Sequence, residues 1–152
     1  MKQNLPAGHI AFAALASEQA LPAAARGDMN AAIAASDRSL GITEASGQRL
    51  AYLSRFLLDR ANIELQMQRP DEASAHAARA LALNQTAAGP GAISSEIGSA
   101  SLALGRALLG QGKLAAAQAA LASAIEHLTP TLGAEHPDTR LAVTLAAGHA
   151  TR

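Results

Sequence analysis

Small residues return along this chain at a nearly constant spacing, and that recurrence constrains the fold more than any other feature. Three segments, RGDMNAAIAASDRSL, QRPDEASAHAARALAL and QGKLAAAQAALASAI, each carry an alanine shortly after a turn: Ala32, Ala73 and Ala117. The intervals between them are 41 and 44 residues. The apolar segments just before them carry Ala20, Ala61 and Gly105 in corresponding places. Residues without bulk let two helices approach closely. A unit of two antiparallel helices returning every ~34–45 residues is the pattern of a stacked helical array, in which each unit buries its apolar face only against its neighbours.

Composition agrees with helices and argues against a sheet. Alanine, the best helix former, fills 40 of the 152 positions, while aromatics are 2%. Twelve basic residues balance twelve acidic ones, so no net field points to nucleic acid or an anionic membrane as a partner. The chain has no cysteine, which removes thiol catalysis and thiolate metal sites. Ile10–Ala16 (IAFAALA) is short for a secretory leader, and Ser17-Glu18-Gln19 continue a helical pattern behind it. No run reaches bilayer length, and the chain reads as cytoplasmic.

Seven helices are expected in one domain over 1–152, as units of about 9–40, 47–84 and 94–128 with a terminal helix at 137–149. Met1–Gly8 is a lead-in. Helix one runs from about His9 to Arg26, with Phe12, Leu15 and Ala16 on one face, and Pro22 should kink or interrupt it. Helix two starts after an Asp28 cap and ends near Leu40. Gly41–Gly47 is then a connector with a cap candidate at Ser46. Helix three, about Gln48 to Gln68, carries Leu50, Leu53, Leu57, Leu58, Ala61 and Leu65 in register. Helix four begins at Pro70 and ends near Asn84, before the Gly89-Pro90-Gly91 stretch. Helix five ends near Leu109, helix six spans about Lys113 to His127, Thr129–Glu135 is a turn with room for a short helical piece, and Pro137 starts helix seven.

The segment LGRALLGQGKLAAAQAALASAI resembles a tetratricopeptide repeat. In that family small residues on both helices and a glycine between them mark the close approach. Gly105, Gly112, Ala117 and Ala124 match in the third unit, Ala61, Ala73 and Ala80 in the second, and Ala20, Gly27, Ala32 and Ser39 in the first. Leu132–Thr139, containing Pro137, is similar to the linker of the longer kinesin-light-chain type, found in bacterial regulatory proteins. There are departures: Ala23, Glu64 and Leu108 stand at large aromatic positions, and Gln19 and Arg60 at a usual leucine. The resemblance implies a right-handed α-solenoid of about three and a half repeats. It also implies a non-catalytic, regulatory protein-interaction module. The chain would then be part of a bacterial signalling protein such as a serine/threonine kinase carrying such repeats.

In that family the first helices of the pairs form a concave face that binds a peptide or a partner helix. Here Ser17 and Leu21, then Arg55, Asn62 and Gln66, then Leu102 and Arg106 would line it. The alternative for each is a solvated polar residue. Ser99 and Ala103 occupy two of the basic places of the family's carboxylate clamp, so that clamp is not expected. A second possibility is self-association into a homo-oligomer through helix seven, by Leu141 and Leu145. No cofactor or metal is expected: none of His9, His76, His127, His136 and His149 makes an i, i+4 pair. His127 is expected at a helix C-terminus and His136 in the linker. Neither a Gly-x-Ser-x-Gly elbow nor a phosphate loop occurs, and the adjacent Asp37-Arg38 and Asp59-Arg60 point to different sides of a helix, so no enzymatic activity is expected.

Overall fold

The computed structural model describes residues 9–47 and 50–149; the lead-in Met1–Gly8 and the expected start of helix three at Gln48 lie outside them. Within this range the chain is all-α, with seven helices: α1 Ile10–Ala25, α2 Met29–Ser46, α3 Leu50–Gln66, α4 Pro70–Ala88, α5 Ser95–Gly110, α6 Leu114–Leu132 and α7 Pro137–His149. The tightest associations are α1 with α2, α3 with α4 and α5 with α6. Each pair then packs on the next, and the odd-numbered helices also touch one another in order. Among the described residues no helix contacts another more than two places away. Nor, among the described residues, is any helix long and apolar enough to cross a membrane.

The turn inside each pair has one geometry, repeated three times. Gly27, Gln68 and Gly112 all take positive φ, at 81°, 58° and 72°. The next residue's N–H reaches back to a carbonyl five positions earlier: Asp28 to Ala23, Arg69 to Glu64 and Lys113 to Leu108, each at 2.9 Å. This is the Schellman closure of a helix C-terminus, which needs a left-handed residue at the bend. Glycine supplies it twice without strain; Gln68 adopts it with a side chain, which is uncommon outside glycine, asparagine and aspartate.

From each left-handed residue the buried small positions fall at identical offsets. Seven residues before it stand Ala20, Ala61 and Gly105; five after it, Ala32, Ala73 and Ala117; twelve after it, Ser39, Ala80 and Ala124. All nine are buried. A Cβ on Gly105 would lie 2.8 Å from Leu121 Cδ2, and one on Gly98 would lie 2.7 Å from Leu128 Cδ2, so α5 and α6 meet at contact distance there. The core is spread along the stack in separate apolar clusters, one around Ala20, Ala32 and Ile63, others around Leu57 and Ala80 and around Leu121 and Leu128.

Several helices run further than their sequences suggest. The segment from Gly41, expected as a connector, continues α2 to Ser46, and Gly47 at φ 60° ends it. Thr43 is buried and donates to Ser39 O at 2.7 Å, and Leu40 packs beside Leu53 and Leu57, so tertiary burial overrides the poor local propensity. Ser46 lies in the last turn of α2, where its hydroxyl donates to Thr43 O at 2.9 Å, and the helix start it was expected to cap lies outside the described residues. Helix α4 continues to Ala88, and α6 runs through Pro130 to Leu132, removing most of the expected turn. Fully buried Leu128, lodged against Gly98, anchors the last turns of α6.

Pro22 likewise does not interrupt α1; it lies on the solvent side, where its ring needs no space in the core. The core stripe of α1 is Ala13, Ala16, Ser17, Ala20, Ala23 and Ala24, while Phe12 and Leu15 face out. Close helix approach selects the alanines over the larger side chains. In α3, Leu53, Leu57 and Ala61 are buried as the register predicts, with Leu58 and Leu65 half-buried.

Candidate functional site

The odd-numbered helices α1, α3, α5 and α7 lie side by side, and three clefts open between them. The first, about 320 Å³ between α1 and α3, is lined by Ser17, Leu21, Tyr52, Arg55, Phe56 and Asp59 among others. Ser17 is buried at its floor and donates to Asp59 Oδ2 at 3.3 Å. Burial pushes the Asp59 carboxyl above its ordinary value, only partly offset by the Arg55 charge and the Ser17 hydrogen bond. Leu21 stands exposed at the rim.

The second cleft, about 490 Å³ between α3 and α5, shares Tyr52 and Arg55 with the first and adds Leu58, Asn84, Glu96 and Ser99. Its polar wall is organised. Ser54 Oγ donates to Asn84 Oδ1, and Asn84 Nδ2 donates to Glu96 O at 3.0 Å. The Tyr52 ring stacks on Phe56 with centroids 6.1 Å apart, which fixes the aromatic wall between the two clefts. The third cleft, about 460 Å³, lies where the α3–α4 turn, the end of α5 and α7 converge, and Arg69, Arg106, Leu141 and Leu145 line it. Arg106 reaches Asn62 Oδ1 at 3.4 Å, linking α5 to α3.

The residues expected on this face therefore divide. Arg55 is exposed between two clefts, Arg106 lines the third, and Asn62 is half-buried beside it. Ser17 is a buried floor residue, not an exposed contact. Gln66 is exposed but lines none of the three clefts. Leu102 is corrected: at 5% exposure it packs with Leu121, Ala124, Leu128 and Ala142, because α7 turns that side of α5 into core. Leu145 is half-buried against the same cluster, and the more exposed apolar side chain of α7 is Val143. His127 is not at a helix end; it lies five residues inside α6, and its Nδ1 accepts the Ser94 N–H at 3.2 Å. His136 Nδ1 accepts the Asp138 N–H at the start of α7.

Sequence reasoning missed Tyr52 and weighed Asp59 only as the neighbour of Arg60, not as part of this face. Tyr52, Arg55 and Asp59 share one helical face at i, i+3 and i+7, and Tyr52 is the only tyrosine in the chain, so the signal was present.

Behind this face, two departures from the repeat pattern explain each other. Glu64, 2% exposed, accepts from Arg60 Nε at 2.7 Å and pairs with His76 Nδ1 at 2.7 Å. Arg60 also reaches Asp37 Oδ1 at 2.6 Å and Ile33 O at 3.3 Å. The network ties α2, α3 and α4 together where apolar side chains were expected. Burial alone would raise the Glu64 carboxyl, but the hydrogen bonds and charges of His76 and Arg60 outweigh it and hold the group below its ordinary value.

Compared with the profiles of known protein families and with curated proteins, the chain matches none.

Proposed function

We propose that this chain is a non-catalytic, regulatory protein-interaction module, a right-handed solenoid of tetratricopeptide type that holds an extended peptide or a helix of a partner protein against its odd-helix face. The repeated Schellman turns and the nine buried small positions at common offsets support the repeat reading. The observation that carries the functional reading is the pair Tyr52 and Arg55, which lines two adjoining clefts and joins them into one continuous face. An aromatic wall and an exposed guanidinium suit a partner segment that places a side chain in each cleft and a carboxylate or backbone carbonyl between them. A cytoplasmic bacterial signalling protein fits as the parent context.

The test is selection from a displayed random-peptide library against the parent chain, with Tyr52→Ala/Arg55→Ala as the counter-screen. Enrichment of peptides that bind the parent and lose at least about tenfold in affinity to the variant is expected. No enrichment, or peptides indifferent to the variant, would sink the reading. A second reading, self-association through α7, is favoured by Leu141 and Val143, 37% and 48% exposed. Light scattering over a concentration series separates it: a dimer returned to monomer by Leu141→Glu/Val143→Glu would establish it.

A further inference from the structure

The third cleft differs from the other two in its electrostatics. Two arginines line it, Arg69 and Arg106, and no acidic residue does. Among the described residues neither arginine has an ion-pair partner: the pairs formed are Arg60 with Asp37 and Glu64, His76 with Glu64, and Arg79 with Glu44. Arg106 uses one donor on Asn62 and keeps the rest of its fork. The other walls are apolar, with Leu65, Leu109, Leu141 and Leu145.

This cleft is also built rather than incidental. Gly110 lets the end of α5 close on the α3–α4 turn; a Cβ there would lie 2.9 Å from Pro70 Cβ. Gln111 Nε2 then clasps the turn, donating to Pro70 O at 3.2 Å and Ser74 Oγ at 2.8 Å. The wall that carries Arg69 is thereby fixed to the helix that carries Arg106. Its volume and its mostly apolar lining with two arginines fall in the range of small-molecule sites.

We propose that this cleft binds a free small carboxylate with an apolar body. The carboxylate sits between Arg69 and Arg106, and the apolar part lies among Leu65, Leu109, Leu141 and Leu145. Two unpaired guanidiniums select an anion, and a planar fork matches a carboxylate. The leucines exclude small hydrophilic anions from benefiting fully. Because Leu141 and Leu145 belong to α7 while the arginines belong to the preceding two units, the ligand bridges the terminal helix to the rest of the stack. Occupancy therefore quiets α7.

Octanoate is the probe, with octanol and octylamine as controls, titrated into the full chain by calorimetry and followed by amide hydrogen exchange. Octanoate should bind saturably at one site and slow exchange in α7; octylamine should do neither. Arg69→Gln/Arg106→Gln should weaken octanoate at least about tenfold and bring it level with octanol. Leu141→Asp, at a partly exposed position, is a second variant that should abolish binding by setting a carboxylate in the cleft. Equal binding of octanoate and octanol to the parent overturns the proposal, as does undiminished binding to both variants or no binding at all. Binding of a leucine–glutamate peptide with the same arginine dependence, but not of octanoate, would also overturn it and assign the cleft to the partner-binding face.

Discussion

Gly105→Ala adds one methyl group to one of the two close contacts between α5 and α6. The new Cβ would stand 2.8 Å from Leu121 Cδ2 and 2.9 Å from Leu121 Cγ, with the Leu121 backbone N at 3.5 Å. Ordinary carbon contacts begin near ~3.5 Å, so Leu121 or the whole of α6 must move by several tenths of an ångström. Leu121 has nowhere to go; it is fully buried among Leu102, Ala124, Leu128 and Ala142. Overpacking of this kind costs about 1–3 kcal/mol. Against it stands the helix preference of alanine over glycine, about 0.8–1 kcal/mol. The net expectation is a loss of up to about 2 kcal/mol, and Gly105→Leu should lose more. Urea denaturation followed by circular dichroism reads the midpoint, and an unchanged m-value would show that stability alone has changed. Leu121→Ala alone opens a cavity costing about 2–5 kcal/mol, but in the double variant the added methyl fills part of it. The two changes should therefore couple favourably by at least about 0.5 kcal/mol. If Gly105→Ala stabilises the chain, or the double variant is merely additive, α5 and α6 do not meet at Gly105 and Leu121.

Gly41→Ala is the counter-case: Gly41 lies inside α2 with nothing within 4 Å of a built Cβ, so it should raise stability by about 0.5–1 kcal/mol, and no gain in the same denaturation assay would return residues 41–46 to a connector. Glu64 should show in the acid limb of stability. Its folded carboxyl is held below the ordinary value of 4.5, so its contribution is full above that pH and is lost as pH falls through the folded value. Melting temperatures of Glu64→Gln should accordingly flatten below pH 4.5 relative to the parent, and parallel curves would show that the network carries no linkage.

What could be read from the residues alone was the period, the pairing and the small contact positions, because all three follow from side-chain volume and spacing. What could not be read was where helices stop. Gly41, Pro22 and Pro130 are local break signals, yet α2, α1 and α6 pass through them, since burial of Leu40, Ala20 and Leu128 on neighbouring helices outweighs a local preference of about a few kcal/mol. Leu102 was misplaced for the same reason in reverse: its burial depends on α7, an element outside its own unit. The Asp37–Arg60–Glu64–His76 network was invisible because its members come from three helices and meet only after packing. Of the face, Arg55 and Arg106 were legible from helical register, while the clefts beside them required the packed neighbours.

Contacts that reach no further than two helices along the chain carry a consequence for how it comes into being. Most touching residues are close in sequence, and chains rich in such local contacts fold in about microseconds to milliseconds. The α1–α2 pair holds its own cluster around Ala20, Ala32 and Ile63, the last contributed by α3, with Met67 just after α3 packed against it, so the chain through Met67 already includes the side chains of that cluster. On a ribosome adding about 5–20 residues each second, that part can be in place seconds before α7 is synthesised, leaving little time in which an alanine-rich surface stands open to other nascent chains.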